Sequence, residues 1–178
     1  MTAAESLDGH PRVLALLERF RAVDATMRDL PVYNDKIAID GIGFRKFDQD
    51  TLLGVVLTPW FMNLVLLAFV TEPMCVAQIG RSAIVALPAG ERTFVIGGDE
   101  VVGLYRAYSL HSPVLNFTLP GQALAEARRS LALLTTPPAP PQAAASPNAA
   151  SPAVDRRALL FGRRQAARQQ ATPARDRL

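Results

Sequence analysis

Between Asp50 and Glu72 the chain runs for twenty-one consecutive residues without a charged side chain, TLLGVVLTPWFMNLVLLAFVT. About 20 predominantly apolar residues cross a bilayer as a helix, so the run is either a membrane span or the centre of a core. Its interior argues for the core. Thr58-Pro59 and Asn63 interrupt it, and its first half is rich in Val and Leu around Gly54, which suits strands better than one long helix. Its flanks agree: Asp48 and Asp50 precede it and Glu72 follows, where a single-pass span would carry basic anchors at one edge. The expectation is two deeply buried strands, LLGVVLT and NLVLLAF, broken at Pro59, which cannot donate a ladder hydrogen bond. No integral membrane insertion is expected.

The surrounding periodicities supply what would cover those strands. Val13, Leu16, Leu17, Phe20, Val23 and Met27 recur at spacings of three and four, while Arg12, Arg19, Arg21 and Arg28 fall largely off that stripe. Pro11 fits the first turn of such a helix and Pro31 stops it. A second helix is expected after Pro120-Gly121, with Leu124, Ala127, Leu131 and Leu134 on one face. Between the helices the period changes to two. Ile37 and Ile39 alternate in KIAID, Asp48-Gln49-Asp50 reads as a turn, and Pro88-Ala89-Gly90-Glu91 joins two β-rich runs as a hairpin. Gly97-Gly98-Asp99 reads as a turn before a further strand, VGLYRAYSL. The fold class is therefore α+β, a mainly antiparallel sheet flanked by an N-terminal and a C-terminal helix.

Charge divides the chain. Residues 1–154 hold 12 basic and 14 acidic side chains, whereas residues 155–178 hold seven Arg against two Asp. The stretch from 135 to 153 contains six prolines and no charge or large apolar side chain, too little to offset its ordering entropy. Three parts are expected: a globular domain over 1–134, a Pro/Ala-rich disordered linker over 135–153, and a basic tail over 154–178. The tail has the charge for nucleic acid but lacks interleaved aromatics, Phe161 being its one aromatic residue, so no nucleic-acid partner is expected.

Little in the sequence points to catalysis. A single cysteine, Cys75, forms neither an internal disulfide nor a metal knuckle, and His10 and His111 have no carboxylate at ligand spacing, so no metal or other cofactor is expected. The first ten residues have neither a basic start nor an apolar run, which gives the expectation of a cytoplasmic protein. The one enzyme reading is a small hydrolase in which Ser109 is the nucleophile and His111 the base, two apart on one strand and hence on one face. Binding has better candidates. Trp60, the only Trp in the chain, and Phe61 offer aromatic anchors immediately after Pro59, Asn63 is a polar residue inside the apolar run, and Arg45 could meet an acidic partner.

The segment GVVLTPWFMNLVLL, residues 54–67, resembles the hallmark of the HybE/HupJ family of nickel–iron hydrogenase assembly chaperones. LPVYND at 30–35, GIGFRKF at 41–47, LPAGERTFVIG at 87–97 and YSLHSPVLNF at 108–117 resemble it in the same order. AFVTEPM, after Leu67, departs from the glycine- and proline-containing loop of the family. Some members are fused to a rubredoxin; with no paired CxxC motifs, this chain resembles the unfused form. The resemblance implies a non-enzymatic, cytoplasmic chaperone that holds a hydrogenase large- or small-subunit precursor and delays its twin-arginine export. In the tail, Arg156 and Arg157 precede Leu160 and Phe161, an order that resembles a twin-arginine motif. That motif is read as a docking segment that occupies the chaperone's own signal-peptide groove when no client is bound.

Overall fold

The computed structural model describes residues 6–138. The tail motif with Arg156, Arg157, Leu160 and Phe161, and the linker beyond residue 138, lie outside the described residues. In chain order the elements are α1 (Pro11–Met27), β1 (Asp40–Lys46), β2 (Thr51–Leu57), β3 (Met62–Ala68), β4 (Ser82–Leu87), β5 (Gly90–Asp99), β6 (Gly103–His111) and α2 (Pro120–Thr135). The strands form one antiparallel sheet in the order β1-β2-β3-β6-β5-β4. No helix among the described residues is long and apolar enough to cross a membrane.

The uncharged run is the β2–β3 hairpin at the centre of this sheet, and its composition follows from cover on both faces. Leu53, Val55, Leu57, Met62, Leu64 and Leu66 pack under α2 with Ala123, Ala127 and Leu131. Leu52, Val56, Val65 and Leu67 pack under α1 with Val13, Leu16 and Leu17. A strand covered on one face alternates apolar and polar residues; one covered on both cannot. Each Leu or Val so enclosed stabilises the fold by about 1.5–3 kcal/mol over an exposed position. The α+β expectation holds, and α2 continues one residue past the expected edge of the domain, to Thr135.

A β-bulge sets how β1 joins the hairpin. Ile42 pairs with Val55 and Arg45 with Leu53, so Gly43 and Phe44 together stand opposite Gly54. Gly43 has φ +67°, and a Cβ on it would lie 2.6 Å from Leu131 Cδ2, so glycine there lets α2 sit close. Phe44 turns to the α1 side, where its ring covers Gly54.

Three local expectations are corrected. Ile37 and Ile39 precede β1 rather than alternate within a strand, and they enter opposite clusters, Ile37 beneath α2 and Ile39 beneath α1. Gly97 and Gly98 lie inside β5, not in a turn, because the Tyr105 ring of the paired strand packs against Gly97 where a side chain would stand. Arg12 is buried rather than on the wet side of α1. Its Nε donates to the Ala68 carbonyl at 3.1 Å and its NH1 to the Val102 carbonyl at 2.8 Å, fastening the start of the helix to the end of β3 and to the β5–β6 turn. Burial lowers the pKa of this guanidinium, and nearby Glu72 opposes the shift.

Candidate functional site

The break between β2 and β3 is held by one hydroxyl. Thr58, fully buried, accepts through Oγ1 from the Phe61 N–H at 3.0 Å and the Trp60 N–H at 3.4 Å, while its own N–H donates to the Phe61 carbonyl at 2.9 Å. Pro59 has no N–H to leave unpaired, so Thr-Pro closes the turn without an orphaned donor. The Pro59 carbonyl accepts from the Asn34 N–H at 2.8 Å.

Asn34 then joins three segments that are distant in sequence. Its Nδ2 donates to the carbonyls of Val114 and Phe117, both at 2.9 Å, and its Oδ1 accepts from the Lys36 N–H at 3.1 Å. Three of the motif segments quoted above, around Asn34, Pro59 and Val114, thus meet at one end of the sheet. The third contains the cis Ser112-Pro113 bond.

On this frame runs a row of five aromatic rings. Tyr33 stacks on Trp60 at 6.2 Å between centroids, Trp60 meets Phe61 edge-on at 5.9 Å, Phe61 meets Phe20 at 5.3 Å, and Phe20 meets Tyr105 at 6.3 Å. Trp60 is 9% exposed, whereas Tyr33, Phe20, Phe61 and Tyr105 are each partly exposed. Clefts flank both ends of the row. One of about 420 Å³ is lined by Tyr33, Pro59, Asp24, Arg28 and Lys36. The other, about 210 Å³, is lined by Phe20, Val23, Arg19, Asp99 and Tyr105.

The polar groups along the row are largely committed. Asp24 accepts from Arg28 and from the Tyr33 hydroxyl at 2.9 Å, and the Arg28 bond, against a small opposing effect of burial, holds its carboxyl below the usual range. Burial and then the Asp24 bond push the Tyr33 phenol up, and burial does the same to Tyr105. Asn63 differs: its Oδ1 is buried with no hydrogen-bond partner among the described residues. On β3 it shares the α1 face with Val65, on the same side of the sheet as Phe61.

Of the residues singled out in the sequence, Pro59, Trp60, Phe61 and Asn63 come together here. Arg45 does not: it pairs with Leu53 farther along β1 and hydrogen-bonds Thr135 near the end of α2. Ser109 and His111 do not share a face. Asn63 pairs with Ser109 but Met62 with His111, so the register takes up an extra residue at Leu110 and turns the two side chains to opposite sides. His111 does have a carboxylate nearby, Glu126 at 3.7 Å, and its ring packs edge-on against Phe117. Glu126 is already engaged by Arg129 and Ser130; burial raises its pKa, and these contacts outweigh that and hold it low. Sequence reasoning missed Asn34, Tyr33 and Phe20 as site residues. Phe20 was visible as the one aromatic on the apolar stripe of α1, and Asn34 as an amide within LPVYND, but their meeting depends on long-range packing.

The family model described as NiFe-hydrogenase assembly, chaperone, HybE matches residues 11–162. The chain is 37% identical over 139 residues to the hydrogenase expression/formation protein HupJ of Bradyrhizobium diazoefficiens, covering 78% of this chain and 80% of that one. It is 32% identical over 168 residues to protein HoxT of Cupriavidus necator, covering 86% and 90%. The solution structure of HybE from Escherichia coli superposes with a TM-score of 0.56 at 21% identity, covering 92% of this chain and 97% of that one, which establishes a common fold. The chain belongs to the HybE family of nickel–iron hydrogenase assembly chaperones.

Proposed function

We propose that this chain acts by binding rather than by catalysis, holding an immature large- or small-subunit precursor of a nickel–iron hydrogenase in the cytoplasm. In this reading it also delays twin-arginine export of its client until the metal centres are installed. The observation that carries the proposal is the row of rings from Tyr33 to Tyr105, fastened by Thr58 and Asn34. Partly exposed aromatics on a rigid support are the usual anchors of protein interfaces. Phe61 is the central contact, and Trp60 and Pro59 back it. The opposite orientations of Ser109 and His111 favour binding over the hydrolase reading.

Affinity capture with the full chain, from cells that express the cognate hydrogenase operon, tests the proposal. Recovery of a large- or small-subunit precursor, reduced by Phe61→Ala, is the expected result. Recovery of neither subunit refutes it. Titration with a synthetic twin-arginine signal peptide tests the export component separately, and equal affinity for a peptide with both arginines replaced would remove that component.

A further inference from the structure

The two edges of the sheet are built differently. β1 carries Asp40, Arg45 and Lys46 and is kinked by the bulge at Gly43 and Phe44. Charge and bulges are the ordinary guards against strand addition. β4, SAIVAL, has neither charge nor proline, and it pairs with β5 at six consecutive positions without irregularity. Among the described residues nothing pairs with its outer side.

The backbone phase identifies the groups that face outward. The Ile96 N–H donates to the Arg81 carbonyl at 2.8 Å, and in an antiparallel ladder the bonded positions recur at every second residue. Ala83, Val85 and Leu87 therefore bond inward to β5. The N–H and C=O groups of Ser82, Ile84 and Ala86 point away from the sheet. Their side chains are exposed, and Ile84 keeps 71% of its surface in solvent.

We propose that this edge joins two copies of the chain, paired antiparallel about a two-fold axis at Ile84. In that register Ile84 lies beside Ile84 of the second copy, and Ser82 beside its Ala86, so all three outward residues exchange backbone bonds. The strand is its own complement in size and in charge. Small side chains flank the two isoleucines, Ala83 falls beside Val85 on the other face, and Arg81 falls beside Leu87 rather than beside another arginine. Pro88, with no N–H, ends the pairing. The α1 side of this half-sheet is also thinly covered, leaving Val95 48% exposed next to β4. Two-fold pairing makes that apolar strip continuous across the axis, as an isologous interface requires.

Sedimentation equilibrium of the full chain is the test, and a concentration-dependent monomer–dimer equilibrium is expected. Ile84→Lys sets two ammonium groups at the axis and should give a monomer that still melts cooperatively, since the residue is exposed, with a melt that no longer depends on concentration. Val101→Lys, equally exposed but in the turn between β5 and β6 and away from this edge, should leave the dimer intact. In a Cys75→Ser background, Ile84→Cys should cross-link to itself on mild oxidation. Bonded antiparallel residues stand about 5.5 Å apart at Cα, within the disulfide range of about 4.4–6.8 Å. Monomer at every concentration overturns the proposal, as does a dimer that survives Ile84→Lys and fails to cross-link. Slowed amide exchange at Ser82, Ile84 and Ala86 only on adding a hydrogenase subunit also overturns it, in favour of a client strand at the same edge.

Discussion

The Trp60 indole stacks on the Tyr33 ring with planes 24° from parallel, and the Tyr33 hydroxyl continues the connection to Asp24 on α1. The stack thus couples the β2–β3 turn to the helix that covers it. Trp60 is consequently a supporting residue as much as a surface one. Trp60→Ala should cost about 3–5 kcal/mol, the usual range for truncating a buried Trp, measured by urea unfolding. Phe61→Ala, at a partly exposed position, should cost much less stability and more affinity for a hydrogenase subunit. A Trp60→Ala variant that melts like the parent would show that the indole is not part of the core.

Phe44 packs its ring directly on Gly54 across the bulge. A Cβ on Gly54 would lie 2.4 Å from Phe44 Cγ, inside any tolerable contact. Gly54→Ala should destabilise by about 1–3 kcal/mol, as overpacked cores do. Adding Phe44→Leu should recover part of the loss, because the two sites share one space. Strict additivity in the double variant would contradict the packing.

Much of this arrangement is legible in the sequence. Period and composition fixed both helices, because α1 and α2 each pack one stripe, and the uncharged run gave the central hairpin, because two covers leave no wet face. The failures have a common cause. Arg12 reads as solvent-facing from spacing alone, but only the positions of Ala68 and Val102 reveal two carbonyls waiting for it. Ser109 and His111 share a face by period, and the irregularity at Leu110 that separates them belongs to the pairing of two strands. The candidate site is assembled by Asn34 from three segments, and no local pattern states which backbone carbonyls an amide will find.

Asn34 therefore offers a direct test of that assembly. Asn34→Ala leaves the Phe117 carbonyl without its amide donor, at about 1–3 kcal/mol for a buried group left unsatisfied, while the Val114 carbonyl keeps the Phe117 N–H at 3.2 Å. Asn34→Asp should be worse, since a carboxylate cannot donate and faces two carbonyl oxygens. Hydrogen exchange should accelerate at residues 112–117 in both variants before it does so in β2. Equal stability of Asn34→Asp and the parent would refute the bridging role.

Acid should loosen the β5–β6 turn through Asp99. Its Oδ1 accepts from the N–H groups of Val101 and Val102, both at 2.9 Å, and its Oδ2 is engaged by Arg19. Partial burial pushes the carboxyl up, but the Val102 bond, Arg19 and the Val101 bond together hold it below the ordinary aspartate value. A carboxyl depressed in the folded state contributes fully above its unfolded pKa, about 3.9, and that contribution is lost as pH falls through the folded value. Because Arg19 is largely solvated, the ion pair itself adds no more than about 0.2–1 kcal/mol, and most of the effect belongs to the turn. Asn at this position keeps an acceptor and loses the charge. The parent should exceed Asp99→Asn by about 1 kcal/mol near neutral pH, and the difference should vanish in acid. The consequence reaches α1, because the same turn presents the Val102 carbonyl to Arg12. Exchange at the first turn of α1 should therefore quicken in acid in the parent and change less in the variant. A gap that widens as pH falls would have the wrong sign and would exclude Asp99 as the titrating group.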